Sequence, residues 1–434
     1  MRRPLGPHER DFWILDKQTE FNFTMVVRLM GPLEPEALTK ALAAVQRRHP
    51  LLGVRIDGGE PPMFVPTGNP IPLQVLERAD DDHWRRQAEA EMVTRISTEG
   101  PLVRVVLLRS PRVHELLITF LHAIGDALSG IHFIRDLLQA LEMLHAGQEP
   151  VLAPRPDSVP MAELFPASIR GFKGALKAGS FLGRMLPDLL SRRLHKLPGD
   201  NGIPLASREA RMLPHELPEE TAGRLLQRAR AEGCTLHGVL MATALRAIGR
   251  QFPELDPISL GCSTAVDLRA QLQGDLSGDI GVFVAPVTTF HSVAKSAPLW
   301  ELAREATRKV HQARERDVLV AARLQGGLMP QDLQKSLKMF ASPAWGAFGI
   351  TNIRSVELPE RAGPLSLEKV HFVTCARMLG STLGLAASAF RGRVFLNYVY
   401  THPVASPSQI QAVVQDAVAE LHEAAGTPVM TAAA

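Results

Sequence analysis

Phe120-Leu121-His122-Ala123-Ile124-Gly125-Asp126-Ala127-Leu128-Ser129-Gly130 joins an apolar, β-like run to the start of an amphipathic helix. It sets a His and an Asp four apart at a strand-to-helix turn, where a side chain can face a cavity instead of packing in a core. Imidazole is the side chain best suited to take a proton near neutral pH. The spacing alone is a weak signal. With 15 His in the chain, chance supplies on the order of one His-x-x-x-Asp. A second copy, His132 to Asp136, falls inside the following helix and reads as a surface helix pair. Context is what singles out His122 and Asp126. The competing reading of His122 is a satisfied core histidine.

Upstream of the turn, Leu102 to Leu108 and Leu116 to Phe120 read as neighbouring strands. Phe21 to Met30 and Leu51 to Ile56 read as further strands, Pro35 to His49 and Asp82 to Ser97 as helices. Downstream, the helix runs from about Leu128 to His145, and Pro150 to Pro160 reads as a connector. A second half opens near Pro204. Helices are expected at Glu219–Ala231, Thr235–Ile248, Pro298–Arg316 and Ser408–Ala425. Strands are expected at Pro257–Val266, Gly281–Thr289, Gly346–Asn352, Lys369–Cys375, Thr382–Phe390 and Arg393–Tyr400. Both halves mix helices and strands without strict alternation, an α/β (α+β) pattern.

The 434 residues, 45% of them hydrophobic, suffice for a large core divided over two or three domains. A net charge of +3 and 5% aromatic content argue against a dedicated nucleic-acid surface. Cys234, Cys262 and Cys375 are far apart and odd in number, so neither a disulfide framework nor a zinc knuckle is expected. The opening Met1-Arg2-Arg3-Pro4 lacks an apolar signal region, and no apolar run approaches the ~20 residues of a membrane helix. A reducing cytoplasm is the expected location. There is no G-x-S-x-G elbow, P-loop, dinucleotide fingerprint or metal-spaced His pair, and no metal is expected.

Between residues 170 and 196 seven basic residues face one acid, Asp188, with Phe172, Leu176, Phe181, Leu182, Leu186 and Leu190 interleaved. One reading is a basic amphipathic patch for a carrier protein or a membrane surface, with Lys173, Lys177, Arg184, Arg192 and Arg193 as docking residues. The other is a solvated helical linker.

The order of segments resembles the condensation-domain-like acyltransferases of the chloramphenicol acetyltransferase fold. Their opening resembles Pro4-Leu5-Gly6-Pro7-His8-Glu9, followed by Arg48-His49-Pro50-Leu51-Leu52. Their His-His-x-x-x-Asp-Gly motif aligns with Leu121 to Ala127. A core strand ending in Arg is matched by Ala265-Val266-Asp267-Leu268-Arg269, and a Gly-aromatic strand by Ile280-Gly281-Val282-Phe283. A Thr-Asn strand end is matched by Ile350-Thr351-Asn352. The likeness spans essentially the whole chain and looks closest to the stand-alone polyketide-associated acyltransferases. Two positions depart from the pattern: Leu121 replaces a first His, and Ala127 replaces a Gly.

The resemblance implies two similar sandwich lobes forming a V around a central tunnel, with 1–165 as N-terminal lobe, 166–203 as basic linker and 204–434 as C-terminal lobe. It implies a thioester-dependent O-acyltransferase of polyketide or lipid biosynthesis. No bound cofactor is implied. The donor would be acyl-CoA or a phosphopantetheine-linked acyl group on an acyl or peptidyl carrier protein, and the acceptor a small alcohol. An amine acceptor, giving amide-forming condensation, and an inactive carrier-binding module are the alternatives. His122 would be the general base. Asp126, Arg269 and Gly125 would be structural, with Asp126 turned from His122 toward Arg269. Ala127, Thr351 and Asn352 are the candidates to line the tunnel.

Overall fold

A computed structural model describes residues 1–374 and 377–428, apart from the side chains of 188–191 and 379. Cys375 therefore lies outside the described residues. A six-stranded sheet forms the N-terminal lobe. Its order is Arg361–Ala362, Leu365–Thr374, Asn22–Met30, Val113–Leu121, Val103–Arg109 and Leu73–Glu77. The C-terminal lobe holds Val284–Val293, Ile258–Asp267, Phe348–Ser355, Leu383–Phe390, Arg393–His402 and Glu209–Leu217 in that order, with Leu194–His195 pairing Ile258–Asp267. A small sheet of Arg3–Pro4, Met63–Pro66 and Val54–Asp57 completes the N-terminal lobe.

The two central strands of the first sheet alternate apolar residues on both faces and are almost wholly buried. Sheets buried on both faces read as continuous apolar runs. The motif helix, Ala127–His145, packs against one face. Gly130 permits its close approach, because a Cβ there would press into the Met25 side chain. The helix Leu236–Gly249, almost entirely buried, plays the corresponding part in the second lobe.

The structure corrects the expected lobe boundary at 204. Strands Arg361–Ala362 and Leu365–Thr374 leave the C-terminal half and complete the N-terminal sheet by antiparallel pairing with Asn22–Met30. Sheet edges left unpaired are costly, and this crossover closes one. The crossing strand is also tied to the second sheet: Ser388 donates to the Val370 carbonyl (2.7 Å) and the Asn397 amide to the Phe372 carbonyl (3.0 Å).

The opening helix, Pro7–Gln18, forms a second tie. Asp11 accepts from the backbone N–H of Gly327 (2.7 Å) and Met329 (3.3 Å), and His8 donates to the Ala322 carbonyl (2.8 Å). Glu9 holds the preceding turn by accepting from Gly6 N–H (2.6 Å) and pairing with both Nη atoms of Arg3 (2.7 Å each).

His132 and Asp136 do not form the expected surface pair. Asp136 is buried, accepts from His49 Nε2 (2.7 Å) and has Arg48 at the same distance. His132 turns the other way, toward the Asp279 carbonyl (3.2 Å). Residues four apart are neighbours on a helix face, but that spacing does not fix what else reaches the face, and here each found a partner from a different segment.

Candidate active site

Strand Val113–Leu121 ends at Leu121, which is fully buried and pairs with Asn22. Alternation along a strand sends Leu121 and the next residue to opposite sides. His122 therefore leaves the core that Leu121 enters, and it begins a single 3-10 turn, His122–Ile124. Its backbone N–H is held by the Phe21 carbonyl (3.1 Å).

The His122 ring is half-buried and bonded at one nitrogen, Nδ1, 2.8 Å from the Gly125 carbonyl oxygen. A carbonyl only accepts, so Nδ1 carries the hydrogen and Nε2 presents a lone pair. Three phenyl rings surround the imidazole. Phe12 lies with its centroid 4.4 Å away, Phe23 meets it edge-on at 5.2 Å and Phe21 stacks at 5.4 Å. Burial among these rings lowers the His122 pKa below its usual 6.5, against the opposing pull of the Asp126 charge and the Gly125 carbonyl. The ring is thus neutral at neutral pH.

Asp126 does not touch His122. It caps the motif helix by accepting from Ser129 N–H (2.9 Å) and Ser129 hydroxyl (2.9 Å). Arg269 grips it with two prongs, Nη1 to Oδ2 and Nη2 to Oδ1, each 3.0 Å, and the Phe283 N–H donates to Oδ2 (3.0 Å). Burial disfavours the Asp126 charge, but these donors, Arg269 foremost, hold its pKa below the usual carboxylate value. Arg269 also reaches Asp267 (2.8 Å) and lies over the Phe283 ring. The result is a charged latch between the motif helix and the end of strand Ile258–Asp267.

Ser129 is the functional position that the sequence reading missed. Its hydroxyl oxygen also lies 3.0 Å from the Gly281 carbonyl oxygen, an acceptor that competes with Asp126 for the one hydroxyl hydrogen, and it accepts from Gly281 N–H and Arg269 Nη2, each at 3.1 Å. Asp-x-x-Ser at a helix start is a capping pattern, and that signal was available. The phenyl cage was missed too, because it is assembled by strand register and by the docking of the opening helix.

Gly125 supplies the carbonyl that orients His122. Its backbone is extended (φ −171°), and a Cβ there would stand 3.1 Å from Ser129 Cβ, so the tightness is a matter of approach to Ser129. Ala127 is half-buried as the first helical residue, a conformation open to any L-residue. Thr351 and Asn352 are half-buried in strand Phe348–Ser355. Asn352 Oδ1 accepts from Arg354 N–H (2.8 Å), closing a local turn at a bulge. Among the described residues, neither bonds to the motif turn.

Of the docking candidates, Lys173, Lys177 and Arg193 are exposed. Arg184 is exposed as well and pairs with Asp317 at 2.5 Å. Arg192 is half-buried and engaged.

Residues 206–402 match the family described as phthiocerol/phthiodiolone dimycocerosyl transferase C-terminus. The chain is 27% identical over 424 residues to phosphinothricin tripeptide synthetase PhsB of Streptomyces viridochromogenes (strain DSM 40736 / JCM 4977 / BCRC 1201 / Tue 494), covering 89% of this chain and 33% of PhsB. It spans a third or less of the curated relatives it matches, down to 2% for one synthase subunit. Among solved structures it superposes on the trichothecene 15-O-acetyltransferase TRI3 of Fusarium sporotrichioides with a TM-score of 0.75 and 15% identity, over 98% of this chain and 95% of that one. Polyketide synthase associated protein 5 of Mycobacterium tuberculosis gives 0.69 and 14%, over 97% and 98%. These likenesses establish a shared fold.

Proposed function

We propose that this chain, whose fold is the chloramphenicol acetyltransferase-like one shared by condensation domains and acyltransferases, moves an acyl group from a thioester to an alcohol. The reading is carried by one observation: His122 Nδ1–H is spent on the Gly125 carbonyl, which leaves Nε2 with its lone pair and no hydrogen-bond partner among the described residues.

In this mechanism Nε2 takes the proton of the acceptor hydroxyl as its oxygen attacks the thioester carbonyl carbon. The new C–O bond forms, and the C–S bond then breaks. The departing thiolate receives the proton from the imidazolium, so His122 ends as it began. General-base assistance of this kind is worth ~10²–10⁴-fold. The lowered pKa serves the step, because a base must be unprotonated before it acts. The phenyl cage fixes the ring plane and keeps water from the imidazole. Asp126 and Arg269 act by holding the turn, with no proton passing through them.

The donor in this reading is acyl-CoA or an acyl group on the phosphopantetheine of a carrier protein. PhsB is by name a peptide synthetase and the M. tuberculosis protein is by name polyketide synthase associated, which supports a carrier as partner. The test is free-thiol release from a panel of acyl-CoA and acyl-carrier thioesters, with alcohol and amine acceptors supplied together and products weighed by mass spectrometry. Ester formation that is lost in His122→Ala is the expected result. Amide as the sole product would transfer the mechanism to an amine acceptor, and no thiol release with any donor would overturn it.

A further inference from the structure

Residues 170–196 form, for most of their length, a helix at Gly171–Ser191 with three distinct sides. Its inner side is fixed to the protein. Ala178 and Phe181 pack on an apolar cluster containing Ile169, Leu268, Phe283 and Val320. Gly174 lies so close to Ile169 that a Cβ would overlap that residue's carbonyl oxygen. Arg184 pairs with Asp317.

The outer side has no cover. Phe172 is 79% exposed, Leu176 61%, and Leu182 and Leu186 54% each. They are four of the eight exposed large apolar side chains among the described residues. At 3.6 residues per turn they share an arc of about 120°. Gly179 and Gly183 lie in the same arc and face open space. A single exposed Leu is ordinary, but a contiguous apolar stripe marks an interaction surface. Glycines weaken a helix, so this one depends on packing at its faces.

The third side is cationic. Lys173 and Lys177 are exposed and lie about 60° and 100° beyond the Leu176 edge of the apolar arc, on the flank that also carries Arg184. No acid occurs between Gly171 and Pro187.

We propose that this outer face lies in the plane of an anionic lipid surface. The Phe and Leu side chains would enter the headgroup–acyl boundary, and Lys173 and Lys177 would meet acidic headgroups. A carrier protein would answer the two lysines but leave the wide apolar arc in water. Among the described residues no helix is long and apolar enough to cross a membrane, which fits a helix lying in the interface. The inner side rests on the cluster holding Leu268 and Phe283, which flank the Arg269–Asp126 latch.

The test is co-sedimentation of the full chain with phosphatidylcholine vesicles and with vesicles of equal phosphatidylcholine and phosphatidylglycerol, at low and at 0.15 M salt. Binding to the anionic vesicles alone is expected, weakened by salt. Phe172→Ser with Leu176→Ser should abolish it. Lys173→Gln with Lys177→Gln should reduce partitioning about thirtyfold, at roughly 1 kcal/mol per lysine. Circular dichroism checks that each variant is folded. His122→Ala should bind vesicles like the unaltered chain, and an unaltered chain that binds vesicles but releases thiol from no donor sinks the enzymatic reading and leaves the surface. Overturning results are no sedimentation of folded protein, equal binding to both vesicle types, or variants that bind undiminished. Dimerisation, or capture of an acyl carrier protein, that these four substitutions abolish while vesicles go unbound also overturns it.

Discussion

Arg269 and Asp126, 143 residues apart in sequence, meet in a two-pronged ion pair with both N–O distances at 3.0 Å. One belongs to the loop after a C-terminal strand, the other caps the helix that follows His122. The geometry of the turn that carries His122 is thereby made a property of how the two lobes are joined.

Breaking that pair should first harm the fold. Removing one member strands a buried charge, at about 3–5 kcal/mol. Asp126→Ala and Arg269→Ala are expected to lower the urea midpoint accordingly. A variant with native stability and a selective loss of rate would place Asp126 in the chemistry instead.

His122→Ala should behave in the opposite way. The ring is half-buried and bonds only locally, so stability should change little while acyl transfer drops ~10²–10⁴-fold. Single-turnover thiol release from an acyl thioester measures the loss. Near-full activity would remove His122 from the mechanism.

Phe12→Ala tests the cause of the lowered His122 pKa. Taking away the phenyl ring 4.4 Å from the imidazole admits water and relieves desolvation. The pKa should move up toward 6.5, read from the Cε1 proton by NMR. The acid limb of kcat/KM should move to higher pH with it, because activity requires the neutral ring. An unmoved titration would show that the cage does not set it.

His371 offers a stability test. Burial holds its pKa down to about 3, against 6.5 in the unfolded chain. Between those values the unfolded state binds a proton that the folded state does not, so this residue makes stability rise with pH and fall on acidification. The slope is up to ~1.4 kcal/mol per pH unit. His371→Gln should remove about one proton's worth of slope from denaturation curves between pH 4 and 6. An unchanged slope would mean that His371 titrates normally.

Leu121 stands where the related motif has its first His, and it is fully buried. Leu121→His would bury an imidazole at a strand end packed with hydrocarbon. A loss of about 1–3 kcal/mol is expected, with no gain in rate. A neutral effect on stability would show room that the packing does not reveal.

Much of this was legible locally. The helix at Glu219–Ala231 lies within the residues that its apolar spacing marks, and the motif turn begins one residue after the strand ends. Arg269 was reached by resemblance, not by pattern. The pairing of His132 with Asp136 failed because helix spacing says which residues share a face and nothing about what arrives at that face. Asp136 met His49, 87 residues earlier. Arg184, read as a docking residue, has Asp317 beside it from a segment 133 residues later, which no local window contains.

The amino-acid order by itself determined the strand, the turn and the helix around His122, since period, capping and chirality act over a few residues. It also determined that an imidazole would sit at that turn. Only the tertiary structure decided that burial lowers the His122 pKa and that Leu365–Thr374 completes the other lobe's sheet. Those depend on register and docking between segments hundreds of residues apart. Their free energies come from burial and long-range hydrogen bonds that no local window contains.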